Sequence, residues 1–392
     1  LLEADFPARS LQTVRKNFVL QTFCFVAFSL FLFYNIIMEQ KDFYTARNLK
    51  NLEKIEYLKD ELPSFVDEYF LGIENQTSTL TRLNYAYDLR IFFDYLAKKR
   101  FKGKTVQEFV LSDLEKVSAT DIERFLSYLS NYEIHGVRER CNERAKARKL
   151  SSVRAMFKFF FMREKISVDN AAKVSLPKLH EKEIIRLEAD EVVNLLNCAD
   201  SGTGMSGHQK AYHDKTKLRD VAILTLFLGT GIRISELVGL NNEDIDFHTN
   251  SFKITRKGGN QAVLYFSDEV AEAIARYLAA KEEDKNVPEG EPALFLSLKQ
   301  KRISIRAVEN LVKKYSKIVT PLKKISPHKL RSTYGTQLYR ETQDIYVVAD
   351  VLGHKDVNTT KKHYAAISED IRRSVAGKVR LRTDDPGSDN NK

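Results

Sequence analysis

The sequence predicts a mainly α-helical protein of two domains with one small β-hairpin, and three observations carry that expectation. Its 392 residues suffice for two separate hydrophobic cores. Apolar residues recur at helical intervals through most of the chain, first in a helical stretch that ends in a strongly basic helix and then in a mixed one. Two short runs, 252–256 (FKITR) and 262–266 (AVLYF), flank Lys257-Gly258-Gly259-Asn260 and read as strands around a turn.

The elements follow in order. Phe18 to Ile37 is an uncharged, largely apolar run of 20 residues preceded by Arg15 and Lys16. It is long enough to span a bilayer, with the basic residues on the side expected to stay in the cytoplasm. The first methionine is Met38, directly after the run, where the composition turns charged and amphipathic. Residues 1–37 are therefore read as upstream sequence preceding the true start, with a membrane anchor or a buried helix as the alternatives. A membrane partner is expected only if residues 18–37 are native.

Residues 38–165 are expected to form a helical N-terminal domain. Glu39 to Asp60 carries Leu49, Leu52, Ile55 and Leu58 at helical spacing and is limited by Pro63. Thr81 to Lys99 repeats Leu83, Tyr87, Ile91 and Tyr95. Ala119 to Asn131 places Ile122, Phe125, Leu126 and Leu129 on one face, with Thr120 or Asp121 as its cap. Residues 142–164 form a further helix in a strongly basic stretch: Gly136 to Lys165 holds ten Lys or Arg against three Glu. Arg144, Lys146, Arg148, Lys149, Arg154 and Lys158 of that helix are its candidate phosphate contacts.

Residues 166–188 lose the helical period, contain Pro177, and are expected to be a linker. The second domain, 189–382, mixes helices with the hairpin. An apolar helix from Lys217 to Leu228 ends at Gly229-Thr230-Gly231, and another runs from Ile232 to about Leu240. Helices are expected at 267–280, 304–319, 327–340, 344–352 and around 359–370. Asp200 to Asp214 is polar and reads as a flexible surface loop, in preference to a metal site on His208 and His213. Residues 383–392 are polar and expected to be a disordered tail.

Composition narrows the class. The chain is 43% hydrophobic and 30% charged, as soluble globular proteins are. Its net charge of +10 and pI near 9.2 suggest a polyanionic partner, because Lys and Arg gain by displacing counterions from phosphates; a merely well-solvated surface is the alternative. Cys24, Cys141 and Cys198 are scattered and odd in number, so neither a disulfide framework nor a zinc site is indicated, and a reducing cytoplasm fits.

Five stretches of the second domain gain weight when taken together. Gly229-Thr-Gly-Ile-Arg-Ile-Ser-Glu-Leu237 presents Arg233 after a sharp turn; alone, Arg233 reads as a surface partner of Glu236. Lys257 sits at a hairpin tip, where lysines usually only aid solubility, yet a lysine near other cations can donate a proton. Ser326-Pro-His-Lys-Leu-Arg331 supplies an N-cap, a first-turn proline, and His328 and Arg331 on one face near the positive end of a helix. That pair suits a phosphate or an ordinary polar face. His354 follows a helix-ending Gly353, and Tyr364 follows in Thr359-Thr-Lys-Lys-His-Tyr364, where a tyrosine is more often packed than catalytic.

The ordered set Arg…Lys…His-x-x-Arg…Gly-His…Tyr resembles the tyrosine recombinase (phage integrase) family, and within it the Xer-like recombinases of bacteria. GTGIRISELVGL, TRKGGN, SPHKLRSTYGT and LGHKDVNTTKKHY carry the resemblance, which spans about Pro63 to Ser374. RKGGN and ALFLSL resemble in particular the single-recombinase Xer proteins of streptococci and lactococci.

The resemblance implies a two-domain DNA clamp, a helical core-binding domain and a mixed α/β catalytic domain closing on a duplex. Arg233 and Arg331 would hold the scissile phosphate, and Tyr364 would attack phosphorus to leave a 3′-phosphotyrosine. Lys257 would protonate the leaving 5′ oxygen, His328 would assist Tyr364, His354 would bond the phosphate, and Glu236 would support the pocket. Neither metal nor nucleotide cofactor is implied. Partners would be double-stranded DNA, a homotetramer on two recombining sites with a dimer on each, and an accessory protein. The implied role is resolution of chromosome dimers in a nucleoid-associated, cytoplasmic protein. A mobile-element integrase or a type IB topoisomerase with the same chemistry, and a non-catalytic DNA-binding regulator, are the rivals. Met38 to Pro63 is short for the additional arm-binding domain that such integrases often carry. His354 to Tyr364 is ten residues where nine is usual for the family, with His363 at the usual tyrosine position, so the register of Tyr364 departs from the pattern.

Overall fold

A computed structural model describes residues 43–134, 136–179, 185–256, 259–354 and 356–357. The apolar run at 18–37, Lys257, Tyr364, the helix expected at 359–370 and the C-terminal tail lie outside the described residues. The chain divides into two compact units, Leu1–Lys182 and Glu183–Lys392. Among the described residues no helix is long and apolar enough to cross a membrane.

The first unit is helical. Helix α1 is Phe43–Lys59, α2 Val66–Gly72, α3 Thr79–Tyr95, α4 Leu111–Glu115, α5 Ala119–Tyr128 and α6 Glu143–Met162. A π-helical turn, Leu96–Arg100, extends α3. The core is rich in aromatics, with Phe92 meeting Phe93, Phe125 and Phe157 edge-to-face at ring separations of 5.6, 5.1 and 6.4 Å. The apolar stripe expected on α3 is buried at Leu83, Ile91 and Tyr95, whereas Tyr87 points outward. Helix α5 is capped by Ser118, whose hydroxyl accepts from the Asp121 N–H; Asp121 returns a bond to the Ser118 N–H. The cap thus lies two residues before the expected Thr120, because the reciprocal pair satisfies two otherwise orphaned donors. A two-stranded hairpin, β1 Tyr132–Ile134 and β2 Val137–Glu139, was not foreseen. Three-residue strands leave too little alternation to register. Ile166, Ala171 and Val174, within the expected linker, are buried in this core.

In the second unit come α7 Ala189–Ser201, α8 Gly207–Thr230 and α9 Ile234–Gly239. The antiparallel sheet β3 Ile245–Asp246, β4 Ser251–Thr255 and β5 Gln261–Tyr265 follows, with Thr255 paired to Gln261 at the hairpin's last rung. The chain continues through α10 Asp268–Glu283, α11 Ile305–Val319, α12 Pro327–Thr342 and α13 Ile345–Leu352. Helix α8 is central and packs on α7, α10 and α12.

Of the stretch read as a flexible loop, Asp200 to Asp214, only Gly202 to Ser206 connects helices; Asp200 and Ser201 end α7, and Gly207 to Asp214 form the first turns of α8. Ser206 caps α8 by accepting from the Gln209 N–H, and Gln209 answers through the Ser206 N–H. His213 is buried, its Nδ1 3.1 Å from the Tyr315 hydroxyl, which donates to Asp220 at 2.8 Å. Burial and Asp220 together push the Tyr315 phenol upward, keeping it a donor. One buried histidine fastens the polar segment to α11; no group of three metal-ligating side chains is found among the described residues.

Candidate active site

The site grows from two left-handed glycines. Gly231 ends α8 at φ +62°, and a Cβ there would lie 2.5 Å from a Tyr334 ring carbon, so only glycine fits. The turn delivers Arg233 to the N-cap of α9. Glu236, 3% exposed, accepts from the Arg233 backbone N–H at 2.9 Å and from its guanidinium at 2.8 Å. One carboxylate therefore caps the helix and orients the arginine, so the surface ion pair weighed from sequence is a half-buried pair whose acid is buried.

Gly353 ends α13 at φ +60°. Val348 and Leu352 of α13 pack against Tyr334, Leu338 and Tyr339 of α12, which fixes this helix end over the one that carries His328 and Arg331. Helix α12 begins as expected, with Ser326 extended at the N-cap and Pro327 at the first position, though among the described residues the Ser326 hydroxyl makes no capping bond. Arg331 is buried and donates to Gly231 O at 2.5 Å and to Leu352 O. Arg233 donates to Gly353 O at 2.9 Å. The two arginines thus cross-brace the turns that precede Arg233 and His354. His354 is half-buried, its N–H donating to Ala349 O at 2.9 Å, and His328 is exposed on the first turn of α12.

Four of the six expected catalytic positions, together with Glu236, therefore lie on three helix ends tied by these bonds. Lys257 and Tyr364 fall outside the described residues. A further arginine, Arg256, was not singled out from the sequence. It closes the hairpin, its N–H donating to Asn260 O at 2.7 Å, and its guanidinium reaches Val351 O at 3.4 Å. Three consecutive carbonyls, of Val351, Leu352 and Gly353, thus receive three arginines from three separate motifs. Helix ends leave such carbonyls without intrahelical partners, which is why they are available.

The basic helix α6 of the first unit divides its charges. Lys149 is buried, with Nζ 3.0 Å from Asp88, and Arg154 donates to Ala171 O and Val174 O. Lys146 pairs with Glu143 at 3.1 Å. Arg144, Arg148 and Lys158 are exposed and share one stripe of the helix, although Arg148 also reaches Asp88 at 2.6 Å.

Residues 186–370 match the phage integrase family, and residues 66–165 match the phage integrase N-terminal SAM-like domain. The tyrosine recombinase XerC of Caldanaerobacter subterraneus subsp. tengcongensis is 33% identical over 369 residues, 89% of this chain and 97% of that protein. The tyrosine recombinase XerS of Lactococcus lactis subsp. cremoris is 28% identical, over 83% of this chain and 98% of its own length. Among solved structures, the XerH site-specific recombinase bound to palindromic difH substrate in a post-cleavage complex shares the fold. Its TM-score is 0.58 at 18% identity, over 79% of this chain and 83% of that one. The Tn1549 transposon integrase in complex with circular intermediate DNA gives 0.57 at 19%, over 80% and 98%. Matched in both units, the chain belongs to the phage integrase family and is a tyrosine recombinase of Xer type, an enzyme of site-specific DNA recombination.

Proposed function

We propose that the second unit cleaves one DNA strand by attack of Tyr364 on a phosphate held by Arg233 and Arg331, and that the protein resolves chromosome dimers at paired sites. The observation that carries the chemistry is the cross-bracing of Arg233 and Arg331 through the carbonyls of Gly231, Leu352 and Gly353. Two planar forks fixed against backbone need no rearrangement to meet charge developing on the non-bridging oxygens of a pentacoordinate phosphorus. His354, half-buried beside Gly353, bonds the same phosphate, and His328, on the first turn of α12, takes up the Tyr364 proton. Lys257 gives its proton to the departing 5′ oxygen. The 3′-phosphotyrosine stores the bond energy, and the 5′ hydroxyl of a second strand reverses the step, so neither metal nor nucleotide enters.

Duplex DNA is bound with the exposed stripe Arg144, Arg148 and Lys158 against phosphates, while Lys149 and Arg154 serve the domain's interior. Four protomers act on two sites, two on each, with an accessory protein as a further partner. The Xer role is supported by the alignment of XerC and XerS relatives over nearly their whole length.

Incubation with nicked fragments of the source genome, without divalent metal, tests the reading. Wild type is expected to give a DNA adduct that survives denaturant, and Tyr364→Phe none. An adduct retained by Tyr364→Phe would move the nucleophile elsewhere. Tight binding with no adduct from any fragment would favour a non-catalytic regulator.

A further inference from the structure

Arg256 has no part in the chemistry proposed above, yet its surroundings are unusually specific. Its backbone closes the β4–β5 hairpin at both ends of the turn, the N–H bonding Asn260 O at 2.7 Å and the carbonyl accepting from Gly259 at 3.1 Å. Its guanidinium lies flat against Gly353, where a Cβ would come within 2.2 Å of Nη1 and 2.4 Å of Cζ. Gly353 thus has the left-handed φ that favours glycine, and a side chain there would displace the Arg256 guanidinium. The Arg256 Nε is buried and has no hydrogen-bond partner among the described residues. Burying a polar N–H unpaired is unfavourable, so the placement is costly unless a packing requirement outweighs it. That requirement links two motifs: the hairpin, whose next residue is Lys257, and the turn carrying His354, which also anchors Arg233 and Arg331.

We propose that Arg256 is a positioning residue for Lys257: seated on Gly353, it fixes the base of the hairpin relative to the phosphate arginines and so sets where Lys257 delivers its proton. The inference rests on the role proposed for Lys257. In the step concerned, Tyr364 Oη forms a bond to phosphorus and the P–O5′ bond breaks. Its electron pair stays on O5′, which takes the Lys257 ammonium proton; the phenol proton passes to His328, and Lys257 regains a proton from water. A misplaced lysine leaves phosphate binding intact and makes the departing alkoxide harder to expel.

The leaving group supplies the test. A 5′-bridging sulfur departs as a stable thiolate and needs no proton. Single-turnover cleavage of nicked duplexes with a bridging 5′ oxygen or 5′ sulfur would be measured for wild type, Lys257→Ala, Arg256→Ala and Arg256→Gln. Gel shifts would report binding, and circular dichroism the fold. General-acid loss of about 10²-fold is expected for Lys257→Ala on the oxygen substrate. Arg256→Ala is expected to lose roughly 10- to 100-fold there. Both should come within about threefold of wild type on the sulfur substrate, that being ordinary scatter in rate against a tenfold effect of 1.36 kcal/mol. Arg256→Gln, which keeps a polar stem, carries the test if Arg256→Ala does not fold, and is expected to show the same sulfur rescue. Rescue of Lys257→Ala without rescue of the Arg256 variants would overturn the positioning role alone, leaving Arg256 as a brace for Gly353. Failure of sulfur to rescue Lys257→Ala would overturn the Lys257 reading and this inference with it. Wild-type rates for the Arg256 variants on oxygen would also overturn it.

Discussion

Two charge clusters, one in each unit, lean on different acceptors. In the first unit the fully buried Asp88 carboxylate takes Arg148, Lys149 and the Ser152 hydroxyl at 2.6–3.0 Å. In the second, Arg256, Arg331 and Arg233 reach backbone carbonyls at the end of α13, and Arg233 divides its fork between Gly353 O and the buried Glu236 carboxylate. Cations neutralised by a buried acid hold a domain together. Cations held by neutral oxygens keep their field for a ligand. A count of Lys and Arg does not tell these uses apart, and the six basic residues picked out on α6 illustrate it.

The contrast can be broken most forcefully at Asp88. Asp88→Ala leaves the Lys149 ammonium buried without its acid, and a loss of about 3–5 kcal/mol in unfolding free energy is expected by denaturant titration. Loss below about 1 kcal/mol would mean that Lys149 escapes to solvent and that the cluster is not closed. At the other cluster, Arg331→Lys keeps the charge but removes the fork. Cleavage is expected to slow on the order of 10²-fold with little change in DNA affinity. An unchanged rate would show that charge alone suffices there.

Asp113 offers a milder version of the closed plan. Burial raises its carboxyl pKa, but bonds from Lys104, the Val110 N–H and Lys116 outweigh that and hold it below the usual carboxylate range. Because the folded-state value is depressed, its contribution is present above the unfolded pKa near 3.9 and is lost as pH falls through the folded value. Asp113→Asn is therefore expected to cost about 1–2 kcal/mol at neutral pH, the difference closing below about pH 3.9. A pH-independent difference would assign the effect to packing. The smallest change is expected on the exposed stripe of α6. Arg144→Ala with Lys158→Ala should lower the slope of log K against log salt by roughly one for each residue, whatever the DNA sequence. Lys149→Ala should leave that slope alone.

The helices were legible where an apolar stripe coincided with a boundary residue, as at Ser326-Pro327 and Gly353. The joint order of Arg233, Arg331 and His354 was legible as well, and the structure brings them together. What could not be seen was which donor meets which carbonyl. Arg154 reaching the carbonyls of Ala171 and Val174, or Arg256 lying on Gly353, depends on tertiary proximity that no period encodes. The misread segment before Lys217 failed for a local reason. Gly202 and Gly204 do lie between helices, while the buried contacts of His213 with Tyr315 and of Thr216 with Asp220 secure helix through the polar sequence that follows.

That helix has a mechanical consequence. At 1.5 Å per residue, the 24 residues of α8 make a rod of about 36 Å, with the Gly231 turn at one end and Gly207 at the other. Residues gained or lost at the Gly207 end lengthen or shorten the rod away from the chemistry. The exposed face of its first two turns is thus a place where the chain can drift in length, or accept a grafted label, while the geometry around Arg233 stays put.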